Sequence, residues 1–224
     1  MAPMDTPHHS NGRWRVAAAA FISFGAVQLC SCGGGPSPVR PPSISAAAAS
    51  REAMAQYDTN GDGIVAGEEL ENAPGLKAAL PRLDSNQDKA VDADEVAARI
   101  AQWQEAGIGL MSFGFRVTLN GRPLADALVT FEPEAFLGDD VKPASCTTTS
   151  AGVGGATIAE QDRPDPTWPA GMQHGIYKVK ISKVVGGKET IPAKYNQATV
   201  LGQEVAQDVD EIANRRVVYA LSTK

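Results

Sequence analysis

The stretch that decides the fold of this chain is Asp58-Thr59-Asn60-Gly61-Asp62-Gly63-Ile64-Val65-Ala66-Gly67-Glu68-Glu69. Oxygen-bearing side chains stand at its first, third and fifth positions, a glycine at the sixth and a glutamate at the twelfth. Calcium is a hard cation that takes about six to eight oxygen ligands, and a loop with this spacing wraps one ion. The predicted ligands are the side chains of Asp58, Asn60, Asp62 and Glu69 and the backbone carbonyl of Ile64.

A second stretch repeats this pattern, namely Asp84-Ser85-Asn86-Gln87-Asp88-Lys89-Ala90-Val91-Asp92-Ala93-Asp94-Glu95. Its predicted ligands are the side chains of Asp84, Asn86, Asp88, Asp92 and Glu95 and the carbonyl of Ala90. Lys89 stands where the first loop has Gly63, and a side chain in the left-handed region costs about 1–2 kcal/mol. We therefore expect the second loop to bind calcium more weakly than the first.

The alternative is that both stretches are acidic surface turns, because Asp, Asn and Gly are common turn formers. That alternative requires neither a glutamate at the twelfth position nor a second copy of the pattern. The two loops resemble those of the EF-hand family, which implies Ca²⁺ as the cofactor, a short helix on each side of each loop, and a β-bridge between the loops at Val65. The predicted helices cover residues 45–57, about 68–74, 76–83 and 94–105, and Pro81 should bend or shorten the third. The pair occupies residues 45–107.

Beyond residue 110 the apolar pattern changes from helical to alternating. Phe113, Phe115, Val117 and Leu119 alternate with small or polar residues and predict one face of a strand. Shorter runs predict further strands near residues 127–131, 146–149, 156–159, 176–181 and 216–221. Short strands separated by frequent turns favour an antiparallel β-sandwich over residues 110–224. The predicted class is thus α+β and multidomain.

Residues 115–133 read Phe-Arg-Val-Thr-Leu-Asn-Gly-Arg-Pro-Leu-Ala-Asp-Ala-Leu-Val-Thr-Phe-Glu-Pro. They resemble the opening of transthyretin-like (prealbumin-like), carboxypeptidase-regulatory-like domains. Tyr177-Lys-Val-Lys-Ile181 and Ile191-Pro-Ala-Lys-Tyr-Asn196 resemble later segments of small exported versions from planctomycete-like bacteria. The resemblance covers about half of the chain. It implies a β-sandwich that serves as a binding or spacer module.

The amino-terminal residues 1–31 predict a signal peptide of lipoprotein type. Arg13 and Arg15 precede an apolar run at residues 16–29, which is shorter than the ~20 residues of a membrane span. Leu29-Cys30-Ser31-Cys32-Gly33 resembles a lipobox, which implies that Cys32 is lipidated and anchors the chain to a membrane. The alternatives are lipidation of Cys30 and a plain cleaved signal. Residues 32–44 form a linker rich in Gly, Pro and Ser.

Catalytic constellations are sparse in this sequence. His8 and His9 lie in the leader, which leaves His174 as the one histidine beyond it, so His-based zinc sites and Ser-His or Cys-His pairs are disfavoured. Cys146 is expected to be a lone buried cysteine that acts as a small apolar residue. The formal net charge of −6 argues against a nucleic-acid partner. We expect no enzymatic activity.

Two functional hypotheses follow. The first is an exported, lipid-anchored calcium-binding protein whose β-sandwich is a non-catalytic binding or spacer module with a protein or polysaccharide partner. The second is a calcium-regulated sensor or docking module that engages a protein at the cell envelope. Pro81 and the short helices argue against a wide-opening groove. Dockerin-like docking is weaker still, because both loops end in glutamate rather than aspartate.

Overall fold

The computed structural model describes residues 39–223. The predicted signal peptide, Cys32 and the first part of the linker lie outside the described residues. All of the described residues belong to one compact unit. Among the described residues, no helix has the length and apolarity needed to cross a membrane.

Four helices surround the two loops, as the sequence predicts. In chain order the elements are α1 (Ala46–Tyr57), β1 (Ile64–Val65), α2 (Gly67–Asn72), α3 (Pro74–Leu83), β2 (Val91–Asp92) and α4 (Ala93–Ala106). Ser45 caps α1 by accepting the N–H of Ala48, and Asp92 caps α4 by accepting the N–H of Glu95. These side chains satisfy N–H groups that the first turn of a helix leaves free.

Helix α3 ends at Leu83 as predicted, Pro74 opens it, and Pro81 does not shorten it. It begins at Pro74, where the missing N–H of proline costs nothing because the first turn has no partner for it. It continues past Pro81 to Leu83, and the N–H of Asp84 still donates to the carbonyl of Leu80 at 2.9 Å.

The rest of the chain builds a curled and mostly antiparallel sheet, so the protein is α+β. The strands are β3 (Phe113–Leu119), β4 (Arg122–Pro123), β5 (Leu128–Pro133), β6 (Ala144–Thr147), β7 (Val153–Ile158), β8 (Gly175–Ser182), β9 (Val184–Val185), β10 (Lys188–Glu189), β11 (Gly202–Val205) and β12 (Val217–Leu221), with a short helix α5 (Asp210–Ala213) before the last. The main sheet has the order β11-β8-β5-β6-β7-β3-β12, and β4 pairs with β3. Strands β9 and β10 form a separate hairpin.

One pairing in the sheet corrects the predicted antiparallel arrangement. Strand β12 runs parallel to β3, with Val217 opposite Phe115 and Leu221 opposite Leu119. After β11 the chain passes through α5 and then enters the sheet beside β3, running in the same direction as β3. Parallel neighbours need a crossover connection of this kind, because a tight hairpin joins only antiparallel strands.

The helices and the sheet share one hydrophobic core. On the inner face of the sheet, Phe113, Phe115, Phe131, Tyr177 and Tyr219 form a chain of ring contacts with centroids 5.2–6.4 Å apart. The core continues without a break into buried residues of the helices. The change from helical to alternating pattern near residue 110 therefore marks a change of secondary structure inside one packed unit.

Helix α3 is packed tightly onto β11 at one glycine. A side chain at Gly202 would overlap the carbonyl of Pro74, whereas a side chain at Gly114 in β3 would meet nothing closer than 3.8 Å. Close backbone approach therefore requires glycine at residue 202.

We expect Gly202→Ala to lower the free energy of unfolding by about 1–3 kcal/mol, because the added methyl group forces two backbone segments apart. Gly114→Ala is the matched control, and we expect a change within about 1 kcal/mol of zero. Urea denaturation of both variants checks this. Equal losses of unfolding free energy in the two variants would contradict the close contact between Gly202 and Pro74.

Candidate metal centre

The first loop, residues 58–69, is held by its own predicted ligand side chains. Asp58 Oδ1 accepts the N–H of Gly61 at 2.7 Å, and Asp58 Oδ2 accepts the N–H of Gly63 at 2.9 Å. Asn60 Oδ1 accepts the N–H of Asp62 at 2.8 Å. These bonds wind the backbone around the side chains at the first, third and fifth positions, all of which carry oxygen.

Glu69 closes this loop by reaching back to its start. Its Oε1 accepts the N–H and the hydroxyl of Thr59 at 2.8 and 2.9 Å, and its Oε2 accepts the N–H of Ala66 at 3.3 Å. Slight desolvation disfavours the charged form, but these hydrogen bonds outweigh it and hold the pKa of Glu69 below its usual value. The carboxylate is therefore ionised at neutral pH, which is the form that binds a cation.

The second loop, residues 84–95, repeats these bonds at the equivalent positions. Asp84 Oδ2 accepts the N–H of Lys89 at 2.9 Å, and Asn86 Oδ1 accepts the N–H of Asp88 at 2.9 Å. Glu95 Oε1 accepts the N–H of Ser85 at 2.8 Å, just as Glu69 accepts that of Thr59. The two loops therefore have the same local design, although their sequences differ at several positions.

Lys89 adopts the backbone conformation that the sequence predicts for its position. Its φ is 66°, in the left-handed region, where Gly63 of the first loop has φ 90°. Gln87 also has a positive φ of 65°, against 75° at Gly61, so the second loop carries two strained residues where the first has glycines. Of these two residues, only Lys89 was expected from the sequence to be strained.

The two loops are joined through β1 and β2, and the predicted β-bridge is confirmed. Val65 lies opposite Val91, and Ile64 lies opposite Asp92. Both valines are fully buried. The bridge places the eighth positions of the two loops side by side, above the shared core.

The donor chemistry of both loops suits a hard cation such as Ca²⁺, because every predicted ligand atom is an oxygen. Among the described residues, however, no group of three or more His, Cys, Asp or Glu side chains is gathered as a metal cluster. The carboxylates of each loop are bonded to backbone N–H groups instead. The types of residue, their order and their backbone conformation therefore fit calcium. The ligand oxygens of each loop would have to move closer together to bind an ion.

Comparison with known proteins identifies no relative. No family model, no curated protein and no solved structure matches this chain.

The first loop is connected to the sheet by a buried carboxylate that was not predicted from the sequence. Tyr57 directly precedes the loop, and its hydroxyl donates to Glu134 Oε2 at 2.6 Å. The Glu134 side chain is fully buried, and Lys178 Nζ of β8 lies 3.4 Å from the same oxygen. Burial raises the pKa of Glu134, and the bonds from Tyr57 and Lys178 oppose that rise. Burial and the nearby Glu134 charge raise the pKa of Tyr57.

The second loop has a comparable connection through Arg99, which lies one helical turn after Glu95 in α4. Arg99 Nε donates to Glu204 Oε1 of β11 at 2.5 Å, and its two terminal nitrogens donate to Asp208 at 2.7 and 2.8 Å. Arg99 and Glu204 are both buried. Burial raises the pKa of Glu204, whereas the bond from Arg99 lowers that of Asp208.

His174 lies buried at the start of β8 near this network. Neither of its ring nitrogens has a hydrogen-bond partner among the described residues. Burial lowers the pKa of His174, the positive Arg99 acts in the same direction, and Asp208 opposes them.

A sequence signal exists for only part of these contacts. Arg99 falls on the apolar stripe of α4 that carries Val96, Ile100 and Trp103, and a charge in such a stripe indicates a buried ion pair. Nothing around Glu134 distinguishes it from the many exposed acids. Cys146, expected to be buried, is partly buried and free, and burial raises its pKa.

We expect Tyr57→Phe to lower the free energy of unfolding by about 1.5–3 kcal/mol, because it removes a hydrogen bond to a buried charged group. Tyr177→Phe is the matched control, since the Tyr177 hydroxyl donates at 2.9 Å to the neutral carbonyl of Gln173 and should be worth about 1 kcal/mol. Chemical denaturation of the two variants measures the difference. A smaller loss for Tyr57→Phe than for Tyr177→Phe would contradict the role of Glu134.

His174 should make stability sensitive to mild acid. Its folded pKa lies below its ordinary value of 6.5, so the unfolded chain binds the proton more readily and stability falls as pH drops below 6.5. His174→Leu removes this proton uptake. Unfolding free energies at a series of pH values between about 7 and 5 should therefore show the wild type losing more stability than the variant. If the unfolding free energies of the wild type and the variant changed with pH in parallel, His174 would not be the group that takes up the proton.

Proposed function

We propose that this chain is a calcium-binding protein in which residues 58–69 and 84–95 each bind one Ca²⁺. The observation that carries the proposal is the repetition of one hydrogen-bond pattern at the first, third and twelfth positions of two loops that are themselves paired. An acidic surface turn has no reason to repeat this pattern or to end in a glutamate that returns to the start of the loop. The resemblance to the EF-hand family rests on the same residues.

We further propose that the ion has a structural role rather than a switching role. A sensor exposes a groove by moving helices apart. Here α1 is tied to the sheet through Tyr57 and Glu134, and α4 is tied to it through Arg99 and Glu204. Opening the helices would break both buried contacts. These contacts favour the first functional hypothesis over the calcium-regulated sensor.

The expected affinity is that of an extracellular calcium module, with Kd about 10⁻⁴–10⁻³ M. At a Kd near 10⁻⁴ M and about 1 mM calcium, each ion adds about 1.4 kcal/mol to stability. This is enough to reinforce a fold that already has a continuous core, and it is too little to create one.

The setting of the protein is proposed from the sequence alone. The segment 1–31 and Cys32 support export followed by anchoring to a membrane through lipid, and the first part of the linker would then separate the anchor from the compact unit, in whose core Ile44 is already buried. The sheet, part of whose sequence resembles transthyretin-like domains, would be a non-catalytic binding or spacer module.

Calorimetric titration of calcium into the chain from residue 36 onward tests the proposal. We expect two sites, the first lost in Glu69→Gln and the second lost in Glu95→Gln. Lys89→Gly should tighten the second site by about tenfold, because glycine removes the left-handed strain.

Glu68→Gln and Asp94→Asn are the matched controls. Each removes one negative charge beside a predicted ligand without removing a ligand, so both should keep two sites. Absence of binding at millimolar calcium would overturn the proposal. Equal losses in Glu68→Gln and Glu69→Gln would overturn the assigned coordination.

A further inference from the structure

The curled sheet comes close to closing on itself but leaves a gap between its two edge strands. Strand β11 is paired only with β8, and β12 is paired only with β3, in the part of the sheet that the structure describes. A hydrogen bond between side chains crosses the gap, the Tyr219 hydroxyl donating to Gln203 Oε1 at 3.0 Å. The backbone edges of β11 and β12 therefore face each other unpaired.

The register identifies which backbone groups of β12 face the gap. The N–H of Asn120 donates to the carbonyl of Leu221, so Leu221 directs its backbone groups towards β3. Backbone groups alternate along a strand, and Val218 and Ala220 therefore direct their N–H and C=O groups away from β3. Both residues are exposed.

The same argument applies to β11. The N–H of Val179 donates to the carbonyl of Leu201, so Leu201, Gln203 and Val205 direct their backbone groups towards β8. Gly202 and Glu204 direct theirs into the gap. The Glu204 carbonyl accepts the side-chain amide of Gln203 and Glu204 is buried, so the part-exposed Gly202 is the residue of this edge whose backbone groups can meet a new strand.

The gap is a groove with room for a short peptide. Its volume is about 780 Å³, and helix α3 borders it on one side through Ala78, Pro81 and Arg82. The Tyr219–Gln203 pair occupies the inner layer of the groove, so an inserted strand must present a small residue there.

The charge of the groove favours a basic side chain. Four carboxylates line it, those of Glu204, Asp208, Asp210 and Glu211, against the cations Arg82 and Arg216. Glu204 is 1 % exposed, and its Oε2 has no hydrogen-bond partner among the described residues. Arg99 pairs with Glu204 and Asp208, and Arg82 pairs with Glu211 at 3.7 Å, so Asp210 is the lining carboxylate without an ion pair among the described residues. Four carboxylates against three arginines leave an excess of one negative charge, and the unpartnered Glu204 Oε2 is the acceptor still open to a donor.

We propose that this groove binds an extended segment of a partner protein, which adds as a strand between β11 and β12 with a small residue over Tyr219 and a Lys or Arg beside the carboxylates. Strand addition to a free sheet edge gives affinity through backbone hydrogen bonds and specificity through alternate side chains. This binding uses neither calcium loop, so it goes beyond the proposed function and stands or fails separately from it.

The test uses the chain from residue 36 onward and the probe peptide acetyl-Thr-Val-Gly-Lys-Thr-amide. In the free chain, the amides of Val218, Ala220 and Gly202 should exchange with solvent much faster than those of Tyr219 and Leu221. Adding the peptide at millimolar concentration should protect the three fast amides. Replacing Lys by Glu in the peptide should weaken binding by at least about tenfold, and so should N-methylation of its glycine.

Ala220→Pro provides the variant test, because it removes an N–H that points into the gap and leaves the β3 ladder intact. It should abolish peptide protection at Val218 and Gly202, while Ala220→Ser, which keeps the N–H, should bind normally. Should Ala220→Pro unfold, the Lys-to-Glu and N-methyl peptides decide the matter on the unaltered chain.

Three results would overturn the proposal. The first is slow exchange of the Val218 and Ala220 amides in the free chain at low concentration. The second is equal binding of the Lys and Glu peptides, or none at all. The third is concentration-dependent protection without peptide, which would assign the groove to a second copy of this chain.

Discussion

The rest of the structure depends on a carboxylate buried between the helices and the sheet. Glu134 has no access to solvent, and the Tyr57 hydroxyl and the Lys178 ammonium supply the donors that make its burial tolerable. An isolated buried charge is costly. If α1 moved away from the sheet, Glu134 would lose its hydrogen bond from Tyr57. The same constraint acts at Arg99 and Glu204, and the two sites together fix the orientation of α1 and α4.

These contacts explain how the two short loops proposed to bind calcium become part of a larger domain. Tyr57 is the residue before the first loop, and Arg99 lies one turn beyond Glu95, the last predicted ligand of the second. Each loop is therefore only a few residues of backbone away from a buried contact. For the first loop this contact is the Tyr57–Glu134 hydrogen bond, and for the second it is the Arg99–Glu204 ion pair. Conversely, the sheet holds the ends of both loops in place, which lowers the entropic cost of binding an ion.

The loops were predictable from the sequence because their chemistry is local. Spacing of Asp, Asn, Gly and Glu within a loop specifies its turns and caps, and even the positive φ of Lys89 follows from alignment with Gly63. Strand β11 was not predictable, since Gly202-Gln203-Glu204-Val205 has no apolar alternation and its position is set by α3 packing on Gly202. The parallel pairing of β12 and the partner of Tyr57, which lies 77 residues away in sequence, likewise depend on tertiary structure.

The most direct test of the account is amide hydrogen exchange on the chain from residue 36 onward, with saturating calcium and with chelator. Coupling through Glu134 and Glu204 predicts that calcium slows exchange in β8 and β11 as well as in the two loops. If protection rises in residues 58–69 and 84–95 while the sheet is unchanged, the loops bind calcium independently of the sheet and the structural role is contradicted. If exchange is unchanged everywhere, the loops are not calcium sites.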